Sequence, residues 1–568
     1  MTALCLVTFF AGLGRSAIGD ADEAFYAQSA REMVDSGDWI TPHYNYELRF
    51  QKPVFFYWLV AAGYVIAGIG ETAARFPSAL AGLGLALMTL VVGRRWVNPA
   101  TGVVAGAIVA TSFGYFTMAH ASLPDLPLAA FITLAAWALF EAGAPAADPA
   151  TSSGGTANPA PDDRLRRRWV LLAGLAIGLG ILTKGPVALV LPALVYLVVR
   201  LVMADGLLPS KRGWFGLRWL DVALATVVLL AVAAPWFAAM ADVHGLAYLR
   251  RFFVGENLER FATERYNGRR PLWFYAPIIV GGLAPWSSLM ALWMPPLGRV
   301  LRGVRRLSEL EWRLILWAVV PVVFYTLSVG QQPRYILPVL PPLAILLARA
   351  MVARVAAAEA RPGDEGAPFR AATWTTAAVL AATAIVLARA QPVFVSAIPM
   401  LTWTAAAATA LAALALGAVA ALKRYQLVPV VMVVSAVVLL LTVQFGALAG
   451  IRPEPVEQMA SLVRLHRSAA EPVGEFQVFV RNLVFYTGFK QVKLEDDAAA
   501  VRFMKSPERV LMAVRASDLA RLESLAGVAM HLLGQVDYLN AVTLKPVTLL
   551  RADPSQDIEQ VLLVTNKP

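Results

Sequence analysis

Apolar residues recur in long blocks over the first 450 positions of the chain, divided by short polar segments. Blocks of about 17 to 25 residues are long enough to cross a bilayer as helices. In lipid every backbone N–H and C=O must be bonded within the chain, which makes helices of them. The pattern predicts about thirteen spans, at 2–18, 76–93, 101–120, 125–142, 168–182, 185–203, 217–238, 272–294, 312–328, 335–353, 371–388, 398–421 and 427–449. Residues 54–70 are also apolar, but they are short, glycine-containing and preceded by an amphipathic stretch. They predict an interfacial segment. No repeat recurs at a fixed 20–50-residue period. Beyond residue 450 the pattern changes: β-type runs at Phe476–Val480 and Val510–Val514 alternate with helical patterns such as Ala516–Leu525. The expected architecture is an α-helical polytopic membrane protein, with a transmembrane domain at 1–450 and a small soluble α/β domain at 451–568.

Composition agrees with this pattern. Of 568 residues, 58% are hydrophobic and 15% charged, where a soluble domain carries about 25% charged residues. The net charge of +11 fits basic loops that orient a membrane protein better than nucleic-acid binding. Arg94–Arg95, Arg164–Arg168, Lys211–Arg212, Arg299–Arg306, Arg354–Arg370 and Lys423–Arg424 all fall on one side when the N-terminus is inside. That side is expected to be cytoplasmic, which places 451–568 outside. The linkers at 143–163 and 355–369 are rich in Ala, Pro, Gly and Ser or charge and predict no structure. Cys5 is the only cysteine, so neither a disulfide nor a cysteine metal site forms within one chain. No cleavable signal peptide is evident. The short first span suggests that the chain extends upstream.

The candidate chemistry lies in the outward connections, chiefly 19–75 and 239–271. The first opens with Asp20, Asp22 and Glu23, followed by a helical pattern ending near Gly37. Helix capping accounts for Asp20, and an acid in the first turn suits the helix dipole. Asp22 is the better functional candidate, because acids near hydrocarbon are costly and are kept mainly where they face a cavity or a partner. Asp125 stands at the same face, in a position that also suits a helix cap. Two carboxylates at one face can divide base and positioning work. Lys52, Arg75, Lys184 and Arg334 stand on this face too, with a cluster of Arg250, Arg251, Arg260, Arg265, Arg269 and Arg270. Lysine and arginine are natural partners of phosphate oxygens, although general attraction to lipid phosphates also accounts for the cluster. His43, His120 and His244 form no paired motif, so the metal signal is weak. The 451–568 region carries no nucleotide-binding glycine loop; packing or closing over the site is its expected role.

At these residues the chain resembles the GT-C superfamily of membrane glycosyltransferases, in particular the branch containing the bacterial lipid A aminoarabinose transferase and related protein mannosyltransferases. The matching stretches are DADEAFYAQSAREMVDSGDWITPHYNYELRFQKP, ARFPSAL, the Asp of ASLPD, LTKGP, ENLERF followed by RRPLWFY, GGLAPWS and QPRYILPVLPPLAILLA, in the family's order over about residues 12–353. NLVFYTGF and LEDDAAAVRFMKSPERVLMAV resemble the family's outer domain. The resemblance implies an inverting transfer of a sugar from a polyprenyl-phosphate carrier to a lipid, glycan or other acceptor, at the periplasmic face of a bacterial inner membrane, by a monomer. It implies Asp22 as the principal catalytic carboxylate and Asp125 as the second. It assigns Glu23, Tyr26, Lys52, Arg75, Lys184, Glu256, Arg260, Arg334 and Tyr335 to the substrate and lipid-phosphate cavity. Phe25, Gln51 and Asn257 depart from the aminoarabinose pattern, where Arg, an acid and His are usual. The last two weaken a divalent-metal site, which stays open, and argue against identical substrates. The rival readings are a protein O-mannosyltransferase, a polyprenyl-lipid transporter or flippase, and an inactive assembly protein.

Overall fold

The structure is a computed structural model. It describes residues 1–19, 22–143, 163–203, 216–264, 268–293, 298–300, 302–303, 306–360, 367–394, 398–448, 451–539 and 549–568. Asp20, Lys211–Arg212, Arg265 and most of the 143–163 linker lie outside these residues. Eight helices among them are long and apolar enough to cross a membrane, or up to ten if each bent pair counts as one span. The fold is therefore polytopic, and the predicted count of thirteen is not confirmed among the described residues. The helix Trp219–His244 has only 17% of its most apolar window buried and exposes Leu220, Val222, Val227 and Leu230. Such a stripe belongs against lipid rather than water.

Three predicted spans change form. Helix ends at Phe10 in the 2–18 stretch, and Gly12 turns with φ +81°. The freed carbonyls find side-chain donors instead: Arg75 donates to the Leu13, Ser16 and Ala17 carbonyls at 2.7, 2.8 and 2.8 Å. Gln444 donates to the Gly12 carbonyl at 2.8 Å. Unwound backbone is tolerated at membrane depth where protein groups satisfy it in this way. The 101–120 stretch splits into Pro99–Ala110 and Phe113–Ala119, bent by 53°. The 272–294 stretch splits into Tyr275–Gly282 and Trp286–Trp293. The 54–70 stretch forms the helix Phe55–Ala67, too short to span at about 1.5 Å per residue. It packs against Asp22–Ser36 and Glu71–Trp96.

The first polar connection folds from local signals. Asp22 and Glu23 occupy the first turn of Asp22–Ser36, where negative charge favours the helix dipole. Gly37, at φ +72°, closes it by donating to the Met33 carbonyl, as a C-terminal glycine does. A small hairpin follows, β1 (His43–Tyr44) against β2 (Glu47–Leu48). Its two turn residues, Asn45 and Tyr46, have φ of 55° and 61°, the type I′ arrangement.

Residues 473–565 carry a five-stranded sheet of β3 (Val473–Phe476), β4 (Val492–Leu494), β5 (Leu511–Arg515), β6 (His531–Tyr538) and β7 (Glu559–Thr565), in the order β4-β3-β5-β7-β6. β3 runs parallel to β4 and β5, and β7 antiparallel to β5 and β6. The helix Ala516–Ala526 follows β5 as the pattern predicts. The predicted strand 476–480 stops at Phe476: Gln477 and Phe479 take φ of 54°, and Val478 and Phe479 turn into the domain core. This region docks on the first connection. Asn45 exchanges two hydrogen bonds with the Gln491 backbone at 2.9 and 2.8 Å. Tyr46 donates to the Gly488 carbonyl at 2.6 Å, and Asn482 donates to the Ile18 carbonyl at 2.9 Å.

Candidate active site

The site lies where the first connection, the ends of three long helices and the 251–260 segment meet. Asp22 stands at the start of its helix with a side chain 42% exposed. Asp125 begins Asp125–Ala142 and is 3% exposed. Arg334, just inside the Pro333–Ala358 span, joins them. It pairs with Asp22, and its Nε lies 3.3 Å from Asp125 Oδ2, an ion pair without hydrogen-bond alignment. Lys184, at the end of Asp163–Lys184, pairs with Asp125 from the other side. The result is an alternating chain, Asp22–Arg334–Asp125–Lys184. Lys184 Nζ also stands 4.6 Å from the Tyr335 ring centroid, over its face.

Backbone geometry delivers Lys184 to this point. Gly185 takes φ +111°, a conformation that L side chains rarely adopt. A Cβ there would lie 2.9 Å from Asn257 Oδ1 and 3.1 Å from the Phe252 ring. Pro186 then opens Val187–Val202.

Beside the chain of charges is a cavity of about 380 Å³. Lys52, Lys184, Glu256, Arg260 and Tyr335 supply its polar wall, and Val187, Val190, Phe253, Leu258 and Phe324 much of its apolar wall. Arg260 Nη2 bonds Glu256 Oε2 at 2.9 Å. Lys52 makes no hydrogen bond or ion pair among the described residues. Burial and the nearby charges of Arg260 and Lys184 push its ammonium down to about 7, against a smaller opposing pull from Glu256. The residue keeps partial exposure to the cavity, so water there softens this depression without changing its direction. Burial works to raise the Asp22 carboxyl, but the charge and hydrogen bond of Arg334, with Arg481 and Arg49 nearby, outweigh it and hold Asp22 below the usual carboxylate range.

Three residues assigned to the substrate and lipid-phosphate cavity, Arg75, Glu23 and Tyr26, make internal contacts instead. Arg75 is buried, and its guanidinium is fully engaged by Glu23 at 2.7 and 3.1 Å, by Ser16 Oγ and by the three carbonyls of the unwound first segment. Glu23 in turn accepts from the Gly19 and Ser122 amides at 2.9 Å each. The pair is an internal strut with no donor left for a ligand. Tyr26 is 5% exposed and stacks on Tyr57, with Phe56 at its edge, so its ring forms the floor beneath the charges.

Arg49 and Arg481 went unremarked in the sequence. Arg49 lies 4.0 Å and Arg481 5.4 Å from the Phe25 ring centroid. Arg49 directly follows β2 in the ELRFQKP stretch. Arg481 comes from the C-terminal domain, and no local signal marks it.

Asp22 and Asp125 face Arg334 and Lys184, and no group of three His, Cys, Asp or Glu able to hold a metal gathers among the described residues. Both ring nitrogens of His120 face backbone carbonyls, those of Phe116 and Ala11, at 2.9 and 3.1 Å.

The fold is shared with solved membrane proteins. The crystal structure of ArnT from Cupriavidus metallidurans bound to undecaprenyl phosphate superposes with a TM-score of 0.71 at 22% identity, covering 99% of this chain and 97% of that one. The oligosaccharyltransferase AglB of Archaeoglobus fulgidus, in complex with an inhibitory peptide and a dolichol-phosphate, gives 0.53 at 12% identity, covering 92% of this chain and 69% of that one. In sequence, the pattern of the Dolichyl-phosphate-mannose-protein mannosyltransferase family matches residues 17–249. The chain is 35% identical over 330 residues to the undecaprenyl phosphate-alpha-4-amino-4-deoxy-L-arabinose arabinosyl transferase of Edwardsiella ictaluri, covering 58% of this chain and 54% of that protein. It is 35% identical over 339 residues to the protein of the same name from Pseudomonas aeruginosa UCBPP-PA14, covering 59% and 56%. The chain spans little more than half the length of the curated relatives it matches.

Proposed function

We propose that the protein is an inverting glycosyltransferase that takes a sugar from a polyprenyl-phosphate carrier and passes it to a lipid or glycan acceptor. The reading places the reaction at the periplasmic face of a bacterial inner membrane and within one monomer. The observation that carries it is the pairing of an ionised, partly exposed Asp22 with a neighbouring cavity that holds Lys52, Lys184 and Arg260 on one wall and apolar side chains on the other. Phosphate of the carrier sits on the cations and the start of the prenyl tail on the apolar wall. As the bond from the anomeric carbon to the phosphate oxygen breaks, the electron pair leaves with the phosphate, and fixed cations stabilise that charge. The acceptor oxygen attacks the opposite face of the sugar. Asp22 orients it and takes its proton where it carries one. Asp125 holds Lys184 and Arg334 in register. Cations already stand where charge develops.

The family pattern over 17–249 favours one second reading, a polypeptide hydroxyl as acceptor. The experiment supplies full-length protein in nanodiscs with a panel of polyprenyl-phosphate sugars and with lipid, glycan and peptide acceptors, and follows release of polyprenyl phosphate. Release from one donor that collapses in Asp22→Asn is the expected result. Release untouched by that substitution would remove Asp22 from the reaction, and specific lipid binding with no release from any donor would favour a transporter.

A further inference from the structure

Another cavity, of about 500 Å³, lies far from the transfer centre. The Trp286–Trp293 segment, the helix Glu309–Leu327 and the Pro333–Ala358 span enclose it, together with Arg299, Val300 and Leu307. Arg334 opens that span at the transfer centre, whereas Arg349 and Arg354 of this cavity lie near its other end. At 1.5 Å per residue Arg334 and Arg354 are about 30 Å apart, the thickness of a bilayer's hydrocarbon core. The cavity therefore sits at the opposite membrane face. It opens sideways: Val319, in its wall, is 45% exposed and so belongs against lipid.

The lining is apolar apart from three arginines, one carboxylate and one indole N–H. The carboxylate, Glu311, is already engaged. Its Oε2 accepts from the Ser308 amide and hydroxyl at 2.8 and 3.0 Å, as the acid of a capping box does. Its Oε1 lies 3.3 Å from Arg349 Nη1, an ion pair without hydrogen-bond alignment. Two buried donors of this one cavity, Arg349 Nη1 and Trp293 Nε1, thus lack an acceptor among the described residues. Buried donors are nearly always satisfied, and the apolar wall offers neither of them a partner. Attraction of basic side chains to a membrane surface accounts for the exposed Arg299. It does not account for an indole N–H and a guanidinium buried without an acceptor.

We infer that this cavity binds an anionic phospholipid of the surrounding membrane. Its phosphate accepts from Trp293 Nε1 and Arg349 Nη1, Arg299 and Arg354 balance its charge, and the start of an acyl chain lies on Ile315, Val319, Leu343 and Leu346. A free phosphate shares the headgroup chemistry but makes no use of the apolar wall or the lateral opening. The bound lipid ties the short Trp286–Trp293 segment to two long helices and so stabilises the fold at the face away from the reaction. The inference does not depend on the transfer reading. It is tested with delipidated full-length protein in detergent, titrated with phosphatidylglycerol, phosphatidylethanolamine or inorganic phosphate. Native mass spectrometry counts the bound lipid, and the thermal unfolding temperature reports its effect. Phosphatidylglycerol should bind most tightly and raise that temperature. Trp293→Phe keeps the shape and removes the donor, and should weaken phosphatidylglycerol by about tenfold. Arg299→Gln, at an exposed position, should weaken it by about fivefold, with Arg299→Lys restoring it. Undecaprenyl phosphate should bind both weakened variants as it binds wild type. Phosphatidylethanolamine binding as tightly, with Arg299→Gln silent, would overturn the anionic lipid. An unchanged Trp293→Phe would overturn the seat of the phosphate. Inorganic phosphate raising the unfolding temperature as far would make the ligand a free anion and overturn the lipid. Loss of phosphatidylglycerol in Lys52→Gln instead would place it in the donor cavity and overturn the site.

Discussion

Lys52 offers the sharpest test of how the cavity holds a phosphate. In the free protein its ammonium is pushed down to about 7 by burial and by the Arg260 and Lys184 charges. A phosphate placed on these cations reverses the balance and returns Lys52 toward its ordinary value of 10.5. The folded, ligand-bound state then holds a proton that the free state loses above about pH 7. Binding is therefore strongest below that pH, and it weakens with rising pH until the bound-state value is reached. Each pH unit in this window costs up to about 1.4 kcal/mol, or tenfold. Between about pH 7 and pH 9 the dissociation constant for undecaprenyl phosphate should rise roughly 50-fold. Hydration of the partly exposed side chain moves the onset upward but leaves the sign alone. The phosphate itself gains charge as pH rises, which strengthens binding, so the two effects oppose. Lys52→Arg separates them, because a guanidinium stays charged throughout. The assay is equilibrium binding of undecaprenyl phosphate to protein in nanodiscs across this range, for wild type and Lys52→Arg. A wild-type profile parallel to that of Lys52→Arg would refute the reasoning, since the proton would then not reside on Lys52.

Three further outcomes follow from the geometry. Asp22→Asn removes the ionised partner of Arg334 and should lower turnover by about 10²-fold or more while undecaprenyl phosphate still binds; a comparable loss of binding would assign Asp22 to the donor subsite instead. Glu23→Gln leaves Arg75 charged and buried with its carboxylate gone, at a cost of about 3–5 kcal/mol, so the thermal unfolding temperature should fall with little change in KM among the molecules that remain folded. Gly185→Ala places a methyl against Asn257 and Phe252 at a strained φ, and single-turnover transfer should slow together with weaker donor binding; an unchanged variant would mean that Lys184 does not depend on this turn.

Much of this arrangement was open to reading in the sequence, and the boundary of what was readable is physical. Asp22, Asp125, Lys184 and Arg334 each stand at the end of a long apolar block. Span parity alone puts the ends of those blocks at one face, so their meeting needs no knowledge of side-chain packing. Glu23 and Arg75 satisfy the same rule and yet do different work. Their partner is the backbone of residues 13–17, which unwinds there, and a hydropathy pattern that reads 2–18 as one span cannot show carbonyls set free. The hairpin at 43–48 was missed for a related reason. Its turn is Asn45–Tyr46 rather than Asn-Gly, and hydrogen bonds from both side chains to the C-terminal domain hold a φ that Tyr alone would resist.

The segment 49–52, which bends at Gln51 and Lys52, parts its side chains between two cavities. Arg49 and Gln51 line one and Lys52 the other. Gln51 and Lys52 are thus neighbours in sequence that serve different cavities. Pro53 and the Phe55–Ala67 helix fix the segment from one end and the β1–β2 hairpin from the other. The split between the two cavities thus depends on the anchoring of a short segment, and the hairpin's contacts with the C-terminal domain are part of that anchoring.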